Sequence, residues 1–296
     1  MALVSRYLDP ALIERLNHLQ LSARRVVAGS TLGLHRSPVK GASIEFRQHR
    51  FYVPGDEPRR IDWRVYGRTD RPYVKEYDEE TNLRCLILVD GSGSMKYGRK
   101  NGTKFEYAGR LAAALSYLML GKTESVGLGI FRKRVDSYLA PRSGRGQLAR
   151  LIELLERSAP AGDSSLVPSL RDAGKRLDRR ALIIVVSDFF TKIDPFRDAM
   201  AYLKHERHEV ICLRVLDRDE IEFPFRRWSR LRGLEGEAAQ LCEPSLARKS
   251  YLERFQRHEI ELEGQCHAQH VEFHQFPTDV ALVDQLGRFL RAREGA

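Results

Sequence analysis

Three short, almost completely apolar runs constrain what this chain can fold into. They are "CLILVD" at residues 85–90, "ALIIVVSDFF" at 181–190 and "EVICLRVLD" at 209–217. A continuous apolar run of this length, ending at a polar residue, predicts a strand that is covered on both faces. Such strands belong to parallel sheets, whose connections are usually helices. The runs therefore predict an α/β protein.

Helical and strand patterns alternate between and beyond these runs. "KFEYAGRLAAALSYLML" at 104–120 is one of several amphipathic patterns, with Phe105, Leu111, Leu115 and Leu118 on one face. "SVGLGIF" and "VDSYLAP" predict a further pair of strands, and "VEFHQF" at 271–276 predicts a short edge strand between two helices. We expect residues 82–296 to form a doubly wound, mostly parallel sheet with helices on both faces.

Residues 1–81 have a different pattern. "PALIERLNHLQ" predicts a short helix, and glycine and proline punctuate the stretch that follows. "RPYVKEYDEE" alternates in the way of a strand with two unlike faces. We expect a β-rich region that packs against the α/β domain. A buried charge network is predicted to hold it there, formed by Asp56, Arg59, Arg60, Asp62 and Arg68. A direct ligand site at these residues is the alternative.

Apolar segments and cysteines in the sequence indicate where the protein is located. No apolar stretch approaches the roughly 18 residues of a membrane span. The start of the chain lacks a basic segment followed by an apolar block, so no secretory signal is predicted and the expected location is the cytoplasm. The cysteines are far apart and form no C-x-x-C pair, so we expect reduced, buried thiols at Cys85, Cys212, Cys242 and Cys266.

The formal net charge of +10 permits a nucleic-acid-binding function. However, the arginines alternate with acids, as in "DEPRRIDWRVYGRTDRPYVKEYDEE", and no run of lysine and arginine marks a basic tail. A solvated, salt-bridged surface explains this pattern better. Nucleic-acid binding is kept only as an alternative.

Polar side chains follow two of the apolar runs. Asp90 ends the first, with Ser92 and Ser94 next, and Ser187 and Asp188 end the second. The carboxyl ends of neighbouring parallel strands share one edge of a sheet, where ligands bind. A third polar turn, "AGDSSL" at 161–166, precedes the helix that leads to the Asp188 strand. Two carboxylates and several hydroxyls suit a hard cation such as Mg²⁺. Each motif taken singly is also typical of an ordinary turn or helix cap.

An enzyme is the competing interpretation. The chain has no P-loop, and "DGSGSM" does not match the G-x-S-x-G nucleophile elbow. A serine nucleophile would require a neighbouring base, and the sequence indicates none. A metal-assisted hydrolase or phosphatase stays open, although such sites usually carry more acids around the ion.

The motif "DGSGSM" resembles the D-x-S-x-S motif of von Willebrand factor A-like domains. Their metal-ion-dependent adhesion site holds Mg²⁺ or Mn²⁺ and leaves one coordination position for a carboxylate of a partner protein. The resemblance implies that weakly bound Mg²⁺ or Mn²⁺ would be held by Asp90, Ser92, Ser94, Ser164 and Asp188. Ser164 stands where threonine is usual, and Ser165 is the alternative ligand. "SDFF" replaces the usual acid-glycine pair after the second strand.

The run "PGDEPRRIDW" with "GRTDRPYVKEY" resembles the family catalogued as domain of unknown function 58, and the resemblance extends over most of the chain. It implies a bacterial or archaeal protein and no established reaction, and we expect this protein not to be an enzyme. The implied role is that of an adaptor that works with a MoxR-type AAA+ ATPase in protein maturation or complex assembly. Many relatives carry two N-terminal membrane helices, which this sequence lacks.

Overall fold

The computed structural model describes residues 5–23, 44–53, 61–79, 83–98, 102–121, 124–163, 165–226, 229–231, 234 and 240–294. The chain forms two compact units. The larger contains residues 1–33 and 83–296, and the smaller contains residues 34–82.

Strands and helices alternate along most of the described chain. The strands are β1 (Ile44–Phe51), β2 (Tyr73–Glu79), β3 (Arg84–Asp90), β4 (Ser125–Phe131), β5 (Val135–Arg142), β6 (Leu182–Ser187), β7 (Glu209–Leu216), β8 (Ser229–Leu231), β9 (Gln240–Cys242) and β10 (Glu272–Pro277). The helices are α1 (Pro10–Ala23), α2 (Trp63–Thr69), α3 (Lys104–Leu120), α4 (Arg145–Arg157), α5 (Leu166–Arg176), α6 (Ile193–His205), α7 (Arg218–Glu222), α8 (Pro244–Ala268) and α9 (Leu282–Glu294).

The larger unit is built on a six-stranded sheet of order β10-β7-β6-β3-β4-β5. Its strands are parallel, except that β5 runs antiparallel to β4 at one edge. The predicted doubly wound, mostly parallel sheet is therefore confirmed, with β10 as the expected edge strand. The chain leaves β3 toward β4 on one side and later returns to β6 on the other, so the strand order reverses beside β3.

Helices cover both faces of this sheet, which explains the unbroken apolar runs. In β3, Cys85, Ile87 and Val89 face a core that includes residues of α3, α4 and α9. Leu86 and Leu88 face the opposite core, with residues of α5, α6 and α8. Because neither face meets water, alternation with polar residues is absent from the strand. Cys85, Cys212 and Cys266 are buried free thiols, as expected, and the side chain of Cys242 lies outside the described residues.

Helix α1 belongs to the larger compact unit, although it precedes residue 81 in the sequence. Tyr7, Leu8 and Leu16 are buried in the core that α3 also lines. The Tyr7 ring packs directly against Gly109 of α3, where a Cβ would overlap the ring. The apolar face of a short amphipathic helix indicates burial without indicating which element covers it.

The smaller unit pairs β1 with β2 in antiparallel orientation. Helix α2 lies between these strands in the sequence and was not predicted. Asp62 starts it, because its carboxylate accepts hydrogen bonds from the backbone N–H groups of Arg64 and Val65, at 3.0 and 3.3 Å. In the predicted charge network, Asp62 thus has a capping role, while Asp56, Arg59 and Arg60 lie outside the described residues.

No helix within the described ranges is long and apolar enough to cross a membrane.

Candidate metal and partner-binding site

The candidate site lies where β3 and β6 end side by side. The two strands pair in parallel, with Val89 opposite Val186, so Asp90 and Asp188 emerge at the same edge of the sheet. This edge is the point where the strand order reverses. At such a point the connections that follow two neighbouring strands diverge and leave a crevice between them.

Asp90 is buried and fully engaged by its own surroundings. Its Oδ1 accepts a hydrogen bond from the Ser92 backbone N–H at 2.9 Å. Its Oδ2 accepts one from the Ser187 hydroxyl at 2.6 Å. The Ser187 oxygen accepts in turn from the Phe189 backbone N–H at 3.0 Å. Ser187 therefore ties the β6 loop to the carboxylate that ends β3, a role that was not assigned to it from the sequence.

The two motif serines connect this loop to the second carboxylate. The hydroxyl oxygens of Ser92 and Ser94 are 3.0 Å apart, and the Ser94 hydroxyl donates to Asp188 Oδ2 at 2.7 Å. Ser92 begins the 3₁₀ turn Gly93–Lys96, but its side chain makes no capping hydrogen bond. The next helix, α3, is capped by Thr103 instead. The serine side chains thus face the carboxylates, and the interpretation of "DGSGS" as a helix cap does not hold.

Backbone hydrogen bonds bring the third polar turn to the motif. The N–H of Gly93 donates to the Gly162 carbonyl at 2.7 Å, and the N–H of Ala161 donates to the Gly91 carbonyl at 2.8 Å. Gly93 also approaches the Leu234 carbonyl so closely that a Cβ would overlap it. Ser164 lies outside the described residues. Ser165 precedes α5, and its backbone N–H donates to the Arg132 carbonyl at 2.8 Å.

A lysine that the sequence analysis did not select completes the cluster. Lys104, the first residue of α3, is completely buried, and its Nζ donates to Asp188 Oδ2 at 2.8 Å and to Glu220 Oε1 at 2.6 Å. Glu220 lies on α7, just after β7 ends. The signal for Lys104 was weak, because a lysine in the first turn of a helix is usually exposed. Only its burial distinguishes it.

Burial and charge act in opposite directions on the two aspartates. Burial, together with the nearby Asp188 charge, raises the pKa of Asp90 to about 7, against hydrogen bonds from Ser187 and Ser92. Burial also disfavours the charged form of Asp188. The Lys104 ammonium and the Ser94 hydroxyl outweigh it and hold the pKa of Asp188 below its usual range. Without another cation, the crevice therefore holds one carboxylate with its counter-ion and one that lacks this compensation.

The donor chemistry of the crevice fits a hard divalent cation. Asp90, Ser92, Ser94 and Asp188 offer only oxygen atoms, the ligands that Mg²⁺ and Mn²⁺ accept. No cluster of three or more histidine, cysteine or acidic residues suited to a metal occurs in the described part of the chain. A cation here would have few charged ligands, and it would share Asp188 with the Lys104 ammonium. Both features predict weak binding.

Comparisons with known proteins identify the family. Residues 48–261 match the family described as protein of unknown function DUF58. The chain belongs to the DUF58 family. The uncharacterized protein Rv1480 of Mycobacterium tuberculosis is 31% identical to this DUF58 chain over 219 residues, which cover 73% of this chain and 68% of the relative. An uncharacterized protein of Mycobacterium bovis matches to the same extent.

Some solved structures are also similar to this DUF58 chain. The conserved hypothetical protein BatB from Bacteroides thetaiotaomicron has 12% identity and a TM-score of 0.46, and the match covers 72% of this chain and 100% of that one. The VWA domain of SpRpn10 has 13% identity and a TM-score of 0.42, and the match covers 70% of this chain and 94% of that one.

Proposed function

We propose that this DUF58 protein is a non-enzymatic interaction module that binds an acidic side chain of a protein partner at the crevice between β3 and β6. The observation that carries this proposal is the hydrogen-bonded cluster of oxygen side chains from Asp90, Ser92, Ser94 and Asp188 at that edge. The crevice combines ligand atoms for a cation with an uncompensated buried carboxylate. It has the features of a binding site.

The described contacts do not favour a serine nucleophile. The Ser94 hydroxyl donates a hydrogen bond to Asp188, and the Ser92 hydroxyl contacts that of Ser94. Among the described residues, no hydrogen bond joins either serine to a histidine. Lys104 is not an alternative base, because the carboxylates of Asp188 and Glu220 outweigh burial and raise the pKa of its ammonium. A base that holds its proton this firmly cannot accept another from serine.

The finer proposal is that Mg²⁺ or Mn²⁺ makes partner binding conditional. Asp90, Ser92, Ser94 and Asp188 would hold the ion, together with Ser164 from the adjoining turn. The ion would supply positive charge that attracts a carboxylate of the partner. Sharing Asp188 with Lys104 keeps the affinity for the ion low. Family resemblance provides the candidate partner, a MoxR-type AAA+ ATPase, with this protein as its adaptor in protein maturation or assembly.

Surface-plasmon measurements with a purified MoxR-type ATPase from the same genome test the proposal. We expect binding in Mg²⁺, faster dissociation in EDTA, and the same loss in Asp90→Asn without chelator. Asp194→Asn, at an exposed carboxylate at the start of α6, is the matched control and should bind normally. Equal affinity in both buffers would exclude metal-dependent binding, and absence of binding in both would exclude this partner. Release of phosphate from a general substrate, lost in Asp90→Asn, would instead favour a phosphatase.

A further inference from the structure

A second cation, Arg214, is buried behind the candidate site with part of its hydrogen-bonding capacity unused. It lies in β7 and is completely buried. Its Nε donates to the Asp188 backbone carbonyl at 3.0 Å. Its two terminal nitrogens, Nη1 and Nη2, have no hydrogen-bond partner among the described residues. Buried guanidinium groups are normally paired, so this arrangement calls for a physical explanation.

Aromatic rings provide part of that explanation. The guanidinium carbon lies 5.1 Å from the centre of the Phe255 ring and 5.5 Å from that of Phe190. Rings at these distances attract the positive charge, but they accept hydrogen bonds poorly. Three carboxylates lie near its charge: those of Asp188 and Glu220 are engaged by Lys104, and that of Glu259 accepts a hydrogen bond from the Gln275 side chain. The charge of Arg214 is therefore partly compensated, while its terminal N–H groups are not.

One of the two rings over this arginine, Phe190, is partly exposed. Phe190 is 47% exposed and also lies over the Lys104 ammonium, with its ring centre 5.4 Å from Nζ. It belongs to the turn after β6, in which the preceding Phe189 has a φ of 55°, a value that bulky residues rarely adopt. Such backbone is retained where the surroundings enforce it, and often near binding sites. Nearly half of the surface of Phe190 faces solvent, so the ring has space on that side.

Another buried polar group adjoins the same ring. His258 of α8 donates from Nε2 to the Thr191 carbonyl at 2.9 Å, and its Nδ1 has no partner among the described residues. Its ring centre lies 6.3 Å from that of Phe190. A buried guanidinium and a half-buried imidazole, each with unused polar atoms, thus adjoin one surface ring. Such unused polar atoms are typical of a place that holds a polar ligand or water.

We propose that the Arg214 guanidinium binds an acidic side chain of the partner protein, which enters when Phe190 turns outward. The two terminal nitrogens form a fork that matches the two oxygens of a carboxylate. A singly charged carboxylate is favoured over a phosphate dianion, because Asp188 and Glu220 repel the second charge. The proposal rests on the proposed interaction function for the identity of the partner. It does not require a metal, so the two can fail separately.

The test uses the whole chain in EDTA, with acetate as the probe. Guanidinium resonances of ¹⁵N-arginine-labelled protein are recorded during titration with sodium acetate, with sodium chloride and with phosphate at equal ionic strength. Arg214→Gln identifies the resonance. We expect acetate to shift it in a saturable way. Phe190→Ala should tighten acetate binding by about threefold or more, because no ring then has to move before acetate reaches the guanidinium. Leu246→Ala, an exposed apolar residue of α8, is the control and should not change the affinity.

The possible results separate the alternatives. If acetate moves the Arg214 resonance in neither the natural protein nor Phe190→Ala, the site is not an anion site and the inference is wrong. Equal responses to chloride or to phosphate would overturn the assignment to carboxylate. A saturable acetate response with no calorimetric response to Mg²⁺ would support this inference while contradicting metal binding at the crevice. If Arg214→Gln fails to fold, Arg214→Lys keeps the buried positive charge, removes the guanidinium and identifies the resonance for the Phe190→Ala titration.

Discussion

Lys104 and Asp188 form a buried ion pair across 84 residues of sequence, with Nζ 2.8 Å from Oδ2 and side chains that are 0% and 4% exposed. Glu220 provides the second carboxylate for the same ammonium. Paired groups of this kind are costly to separate, because removing one partner leaves the other buried without compensation. A protein-derived cation is thus already present beside the proposed metal site.

Replacing this lysine tests whether its ammonium performs part of the work of a metal. Lys104→Met leaves Asp188 and Glu220 without their counter-ion, and we expect the metal-free protein to lose roughly 3 to 5 kcal/mol of unfolding free energy. Mg²⁺ should then stabilise Lys104→Met more than the natural protein, since the competing positive charge is gone. Thermal unfolding with and without millimolar Mg²⁺ measures both effects.

Lys249→Met, at an exposed position on α8, is the control for loss of a lysine and should leave both melting curves unchanged. For the natural protein, Mg²⁺ at tenfold excess over its dissociation constant should add about 1.4 kcal/mol. If Mg²⁺ stabilises neither the natural protein nor Lys104→Met, the crevice binds no metal.

Asp90 and Asp188 should respond in opposite ways to removal of their charge. The folded pKa of Asp90 is raised from 3.8 to about 7, so the metal-free fold loses stability as the pH rises through this interval and the carboxylate ionises. Asp90→Asn should therefore be more stable than the natural protein in EDTA above this interval. The amide also keeps an oxygen acceptor for the Ser92 N–H. The advantage should shrink as the pH falls toward the lower value.

Asp188→Asn is the matched comparison. The folded pKa of Asp188 is lowered, mainly because the Lys104 charge outweighs burial, so its contribution to stability is present at neutral pH and lost in acid. We expect this variant to be less stable at neutral pH. Urea unfolding of both variants over a pH series would contradict the assignment if Asp90→Asn were the destabilised one.

Asp62 should behave as a helix cap in the smaller unit. Asp62→Ala removes the acceptor for two N–H groups at the start of α2 and should cost about 1 kcal/mol, less than loss of a buried charge network. Asp62→Asn keeps an oxygen acceptor and removes the charge, so its stability in urea, compared with that of Asp62→Ala, separates the cap from the charge. Equal damage from both substitutions would show that the charge matters more than the cap.

His208 should make the larger unit sensitive to mild acid. It is buried, and burial lowers its pKa below the ordinary 6.5 despite the nearby Glu206 charge and a hydrogen bond to the Gly174 backbone. As the pH falls, His208 is therefore protonated in the unfolded chain before it is protonated in the folded protein. The folded protein loses stability as the pH falls through the unfolded pKa toward the lower, folded pKa.

His208→Gln cannot take up this proton, so its melting temperature should fall less than that of the natural protein between about pH 7.5 and pH 5. His205→Gln, at an exposed position of the adjoining helix, tests whether loss of any histidine has the same effect. Parallel melting-temperature profiles for His208→Gln and the natural protein would contradict the prediction.

Local patterns were sufficient to predict the strands and helices around the candidate site. The unbroken apolar runs that form β3 and β6 are typical of strands covered on both faces. The end of each run locates the acid that follows the strand. Asp90 and Asp188 could be selected for this reason. Helix α2 could not be selected in the same way, because its start depends on a side-chain cap at Asp62.

The pairing of side chains was decided only by the tertiary structure. Lys104 has the sequence features of an exposed helix start. Arg214 interrupts an apolar strand, and the acids that follow it at Asp217, Asp219 and Glu220 do not indicate which group it contacts. Hydrophobic periodicity reports which face of an element is buried, and it contains no information on which charged groups meet there. Which charged groups meet depends on the strand order and on where each helix begins relative to the strand ends. A change of a few ångströms in the distance between two charges decides whether they form an ion pair. The sequence therefore determined the sheet and its two acids, and the packing of α3 and α7 around β6 and β7 determined that a buried lysine and arginine accompany them.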